Sequence, residues 1–299
     1  MKHNLKITLV LLGMFVLTQF IGLYVVNHYS QPANELPFNL GDEQPQTSSE
    51  YNQLFLSITI AFVFAILIFF FLTKFNIGFV LKIWFFVVVI IALSISLGGI
   101  IPKFQNQFYV VMALALLLSF EKIYRQNMLV HNTTELLIYP GIAAVFVPIL
   151  NVYTIVLLLV LISVYDAWAV WHSGIMQKMA RYQIDNLKIF SGFFVPYASK
   201  KVKAQIKKWK NTLTKKQLAK KKIKVNVAIL GGGDVVFPII TAGVMLTTLG
   251  IWSSVFVILG ATLGLAYLFF FAEKKKFYPA MPFITTGILL GMILSYLIL

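Results

Sequence analysis

Ile229-Leu-Gly-Gly-Gly-Asp234-Val-Val-Phe237 sets an acid inside an apolar run, directly after three glycines. Both features are costly in a membrane helix. A charged Asp at the centre of a span costs roughly 2.5–3.5 kcal/mol, which makes it a functional candidate by default. Each Gly costs roughly 1 kcal/mol relative to Ala in a helix interior. Three in a row predict local unwinding or a close backbone approach, with tight helix packing as the alternative. One other acid is set as deeply: Asp166, in Leu161-Ile-Ser-Val-Tyr-Asp166-Ala-Trp168. Of the chain's remaining acids, Glu135 lies at the edge of a polar segment and the others lie within polar segments.

Outward from these two stretches the chain stays apolar. It has 299 residues, 59% hydrophobic and 12% charged, against about 25% charged in a soluble domain. Its apolar runs are long enough to cross a bilayer as helices. The alternating segments of about ten residues that mark a β-barrel are absent. The expected fold is an all-α membrane protein with nine spans, near 5–26, 52–73, 78–101, 106–120, 135–150, 151–172, 225–247, 250–271 and 279–298. The expected organisation is spans one to six over 1–172, a basic loop over 173–224, and spans seven to nine over 225–299. The apolar run at 5–26 lacks a small-residue cleavage site and reads as a retained first helix.

The net charge of +15 is concentrated in the loop. Residues 173–224 hold fifteen Lys and Arg against the single Asp185, so +14 of the +15. A basic loop between spans marks the cytoplasmic side rather than a nucleic-acid surface. The acidic loop 27–51 falls on the opposite side. The Lys/Arg bias predicts a cytoplasmic N-terminus and a C-terminus outside. Within the loop, Val202, Ile206, Trp209 and Leu213 recur at helical steps among lysines. That suits a helix lying on anionic lipid, with a solvated topology signal as the alternative. Residues 175–198 are expected to extend the sixth span or form a short surface helix. The chain has no Cys and four His, all at expected span ends or in loops. Cys nucleophiles and disulfides are excluded, and no metal site or cofactor is expected.

Asp166 lies six residues from the cytoplasmic end of its span, about 9 Å in, and Asp234 nine residues from Val225, about 13–14 Å in. The two spans run in opposite directions, so the carboxyls fall at comparable depth. Facing each other, they would share one proton, because two like charges in contact do not both ionise. One carboxylate then activates water while its protonated partner polarises a carbonyl. A bare, strand-like backbone at Gly231–Gly233 could hold an extended peptide by strand addition. Two such acids also suit a proton-coupled transporter, or hydrogen bonds that tie helices together. Phe277-Tyr-Pro279-Ala-Met-Pro282 opens the ninth span on the same side, where Pro is ordinary. Gly260-Ala-Thr-Leu-Gly264 reads as a helix-packing motif.

Three of these stretches together resemble the GxGD intramembrane aspartyl proteases: presenilins, signal peptide peptidases and their archaeal homologues. Tyr165-Asp166 matches the YD motif, Gly231-Gly232-Gly233-Asp234 matches GxGD, and Pro279-Ala280-Met281-Pro282 looks like the Pro-Ala-Leu motif with Met281 in place of Leu. They fall in order on the sixth, seventh and ninth spans. The resemblance implies that Asp166 and Asp234 form the catalytic dyad. It implies that Gly231, Gly232 and Gly233 shape the site, and that Pro279, Ala280 and Met281 dock substrate beside it. It also implies single-span membrane substrates, of type I if the presenilin-like orientation holds, or signal-peptide remnants. The short chain looks archaeal, which implies a prokaryotic cell membrane and no obligatory partner subunits; a homo-oligomer is compatible with it. The other readings are a proton- or cation-coupled transporter, against which stands the lack of two matching halves, and a prepilin-peptidase type of protease.

Overall fold

The structure, a computed structural model, describes residues 5–40, 45–74, 78–125, 127–173, 190–197, 226–272 and 278–299. These contain nine α-helices: α1 (Leu5–Tyr29), α2 (Ser48–Lys74), α3 (Gly78–Ile100), α4 (Gln107–Phe120), α5 (Met128–Phe146), α6 (Val152–Trp168), α7 (Gly232–Leu249), α8 (Ile251–Phe271) and α9 (Met281–Ile298). Eight of them, with adjoining turns, are long and apolar enough to cross a membrane. Helices dominate because hydrocarbon offers backbone N–H and C=O groups no partner, so each segment must satisfy its own. The outward side chains are large and apolar, among them Phe64, Trp84, Leu117 and Leu263. Water would penalise so broad an apolar surface, and lipid does not.

α7 is the hub of the bundle. It packs against α1, α5, α6, α8 and α9, while α2 lies at the periphery against α3 and α6. The tightest seam joins α8 to α9 through glycines on both helices. A Cβ on Gly260 would strike the Gly287 carbonyl, and one on Gly287 would strike the Gly260 carbonyl. Without a hydrophobic force between helices in lipid, this backbone approach supplies the association. Gly287→Leu is therefore expected to part α8 from α9 and lower stability by at least about 1–3 kcal/mol. Thermal unfolding of the purified protein checks it, with a surface change such as Leu263→Ala moving little.

Two segments depart from the all-helical expectation. Gly192–Tyr197 forms β1 and Asn226–Gly231 forms β2, paired antiparallel with Gly192 opposite Gly231 and Tyr197 opposite Asn226. Residues 192–197 are thus strand, not the expected surface helix. The seventh helix begins at Gly232, not near 225. The helical turns expected between Val225 and the glycines are strand instead, and the acid stands in the first turn of α7. α5 starts at Met128, seven residues earlier than expected, and carries Pro140 inside it. Ser96 on α3 donates to the Leu137 carbonyl, in the turn that Pro140 loosens. The stripe Val202, Ile206, Trp209 and Leu213 and the lysines 274–276 lie outside the described residues.

Candidate active site

Asp234 is held by the geometry of a helix start. Gly231 is the N-cap of α7 in extended backbone (φ −65°, ψ 148°). Gly232 and Gly233 follow, so Asp234 is the third helical residue and reaches back to accept the Gly231 N–H. That is half of a capping box, and the positive end of the helix favours a carboxylate there. Pro238 has no N–H to close the ladder onto the Asp234 carbonyl, so this first turn is left open. Gln19 on α1 steadies it, its buried amide donating to the Val235 carbonyl at 3.1 Å.

The three glycines have different surroundings. A Cβ on Gly232 would lie 2.7 Å from Ser191 Oγ and 2.8 Å from the Tyr139 hydroxyl oxygen, so only glycine fits. A Cβ on Gly231 would crowd Asp234 Oδ2 at 3.2 Å. Gly233 is exposed and would meet only Phe237, at 3.8 Å. The close-packed position is the middle one.

Asp166 lies near the C-terminal end of α6 and is 6% exposed. Its Oδ2 accepts the Met281 N–H at 3.0 Å, and the Ala280 N–H also donates to it. Met281 opens α9, whose first N–H groups have no partner within their own helix. Asp166 satisfies them, and that tethers the Pro279–Met281 stretch to the acid through backbone alone. Pro279 and Met281 are buried and Ala280 partly so. Ser163 donates to Thr285 Oγ1 at 2.7 Å and fixes α6 against α9. Tyr165 adjoins the acid, but its ring turns away to meet Phe62 of α2 edge-on at 5.9 Å. α6 and α7 pack together, and Asp166 stands close enough to act electrostatically on Asp234.

The hairpin places backbone beside this pair. Gly232 N–H donates to Ser191 O at 3.3 Å, continuing the ladder and fixing its phase. Residues 193, 195, 228 and 230 therefore bond across the hairpin, and 192, 194, 196, 227 and 229 point outward. On β1 that outer edge is closed. Gly192 O is hydrogen-bonded to His131 Nε2 at 2.8 Å. Phe194 N–H donates to Asn132 Oδ1 at 3.0 Å, and Asn132 Nδ2 donates to Phe194 O at 2.8 Å. Pro196 has no N–H to offer. On β2 the outward groups of Val227 and Ile229 have no bonded partner among the described residues.

Several residues at this end of the bundle escaped the reading of the sequence. Glu135 is not at a polar edge; it is fully buried in α5 and paired with buried Lys122. His131 is not in a loop; it is buried in α5, with Lys122 Nζ 3.3 Å from its Nδ1. Since Gly192 O can only accept, His131 Nε2 carries the hydrogen and Nδ1 faces the ammonium. Both ring nitrogens are thus engaged, which leaves neither for a metal. Asn132, which begins a glycosylation-like triplet, serves β1.

The sequence profile described as Signal-peptide peptidase, presenilin aspartyl protease matches residues 12–299. None of the curated proteins matches the chain in sequence. Two solved structures share its fold. One is a presenilin family intramembrane aspartate protease in space group C222, with TM-score 0.62 and 17% identity over 98% of this chain and 99% of that one. The other is a presenilin family intramembrane aspartate protease in space group P2, with TM-score 0.56 and 20% identity over 97% of each chain. With a family match across nearly its whole length and a multi-pass helical fold to suit, the chain belongs to the signal-peptide peptidase and presenilin family of aspartyl proteases and is an intramembrane-cleaving aspartic endopeptidase.

Proposed function

We propose that Asp166 and Asp234 are the catalytic pair, and that they cut a transmembrane substrate held as an added strand on β2. The observation that carries this is their convergence: two acids from antiparallel helices, each bonded to N–H groups at a helix start, beside a hairpin with one unpartnered edge. The pair shares one proton, which belongs to the pair and not to either residue. The ionised carboxylate takes a proton from water as its oxygen attacks the scissile carbonyl carbon. The protonated carboxyl hydrogen-bonds the carbonyl oxygen as charge develops there. Collapse of the tetrahedral intermediate breaks the C–N bond, and a carboxyl proton passes to the leaving nitrogen. Two carboxylates and one water suffice, without metal or cofactor.

A helix cannot present its carbonyls to this pair, so the substrate must unwind locally. Its extended stretch then pairs with the outward groups of Val227 and Ile229. Gly231, Gly232 and Gly233 let that backbone come close, Pro279, Ala280 and Met281 border the other side, and Tyr165 orients α6. The same reading assigns 1–172 to the half with Asp166, 173–224 to a cytoplasmic loop whose 199–224 lysines meet anionic lipid, and 225–299 to the half with Asp234. It sets the N-terminus in the cytoplasm, the C-terminus outside, and the protein in a prokaryotic, archaeal-type cell membrane. The site needs no partner subunit, and a homo-oligomer is compatible with it.

Strand addition has a signature with a period of two, because alternate residues of the added strand donate to β2. A proline scan along a single-span substrate in proteoliposomes tests it. Prolines at alternate positions are expected to block cleavage while those between are tolerated. Uniform tolerance, or a block without alternation, would rule out pairing with β2.

A further inference from the structure

α5 carries a polar stripe that the chemistry above leaves unused. His131, Asn132, Glu135 and Tyr139 lie on it within little more than two turns. Each of the first three residues of β1 meets one of its side chains. Gly192 O is bonded to His131 Nε2 at 2.8 Å, and Phe194 is bonded through both N–H and C=O to the Asn132 amide. The buried Phe193 ring meets the Tyr139 ring edge-on at 5.8 Å. The stripe is itself fixed from behind. Lys122 pairs with Glu135 and faces His131 Nδ1, so the imidazole is held at both nitrogens. Tyr139 also occupies the space against Gly232, two residues before Asp234.

We propose that this face of α5 is a positioning clamp, with Asn132 as its key positioning residue, which sets the register of the hairpin relative to Asp234. The proposal rests on the reading that substrate pairs with β2. A two-stranded ribbon is marginal alone, and a slip of one residue reverses every outward group. The two bonds to Phe194 fix β1 along its own length, and the pairing of Gly192 with Gly231 passes that position to the start of α7. The bonds also close the β1 edge, so a substrate strand has a single edge to join. Asn132 touches neither aspartate in this arrangement; it acts through β1.

A structural defect and a positioning defect differ in their products. A merely destabilised enzyme cuts fewer molecules at the same bonds. A hairpin free to slip cuts at other bonds. In proteoliposomes with a single-span substrate, mass spectrometry of the products of Asn132→Ala is expected to show cuts displaced by one or two residues. Their share should rise about thirtyfold over wild type, the factor expected for two lost hydrogen bonds. The Phe194 amide is expected to exchange with deuterium about fivefold faster in the uncut protein, since its one bond to Asn132 is gone. If Asn132→Ala does not fold, Asn132→Thr, which can replace one bond of the two, gives the same shifts at smaller size. Unchanged cleavage positions, or unchanged exchange at Phe194, would overturn the clamp. The exchange measurement involves no cleavage, so it judges the clamp even if the assignment of Asp166 and Asp234 fails. That assignment fails separately if Asp234→Asn still cuts.

Discussion

Asp234→Asn is expected to lower kcat/KM by at least about 10⁴-fold, equivalent to about 5.5 kcal/mol of transition-state stabilisation. The amide is nearly isosteric and still accepts the Gly231 N–H, so the helix start survives. What it loses is the ability to take up and return a proton. Asp166→Asn should fall as far, because residues that act as a unit lose their effect together. The double variant should be no worse than either single one. Thermal unfolding of all three should stay within about 1 kcal/mol of wild type, since each Asn keeps its backbone donors. Cleavage of a single-span substrate in proteoliposomes measures the effect. Residual activity above about 1% in either variant would place the base elsewhere.

The second large effect lies away from the chemistry. Lys122 and Glu135 are an ion pair buried inside the bundle, 5% and 0% exposed. Removing one partner leaves an unpaired buried charge, which costs about 3–5 kcal/mol. Lys122→Met should therefore destabilise strongly, and Glu135→Met comparably. Replacing both together with Met should recover most of the loss, because packed apolar side chains can stand in for a buried pair. Thermal unfolding of the two single variants and the double variant forms the cycle. Single variants that each cost under about 1 kcal/mol would mean that water reaches the pair. Since Lys122 also faces His131 Nδ1, the single variant should loosen β1 as well.

The acids were legible because nothing else in their stretches of sequence is charged. Asp166 and Asp234 stand out in apolar runs by their cost, and three consecutive glycines marked where regular helix would fail. That failure proved to be a strand. Asn226-Val-Ala-Ile-Leu230 continues the apolar run of α7 without a break, and a short apolar run does not tell strand from buried helix by periodicity. Gly192-Phe-Phe-Val-Pro-Tyr197 did carry a signal, aromatic and β-branched residues behind a glycine. Its place inside a basic segment hid it. Its partner begins 29 residues after it ends (Tyr197 to Asn226), a pairing no local pattern announces. Glu135 and His131 were misplaced for a related reason. They cluster at the start of a span interrupted by Pro140, and their sequence neighbours Asn127, Asn132 and Thr133 make the stretch look solvated. Only the packing of α5 on β1 turns those polar residues inward. Gln19 could have been found, as a lone amide within the first apolar run.

Catalysis by this pair requires the two carboxyls to meet around one reacting centre. The direct measurement is an experimental structure of the protein with a peptide isostere whose hydroxyl replaces the tetrahedral carbon's oxygen. That hydroxyl is expected within about 2.6–3.2 Å of a carboxyl oxygen from both Asp166 and Asp234, with the isostere backbone paired to Val227 and Ile229. An isostere bound with its hydroxyl against one aspartate only, or away from both, would contradict it.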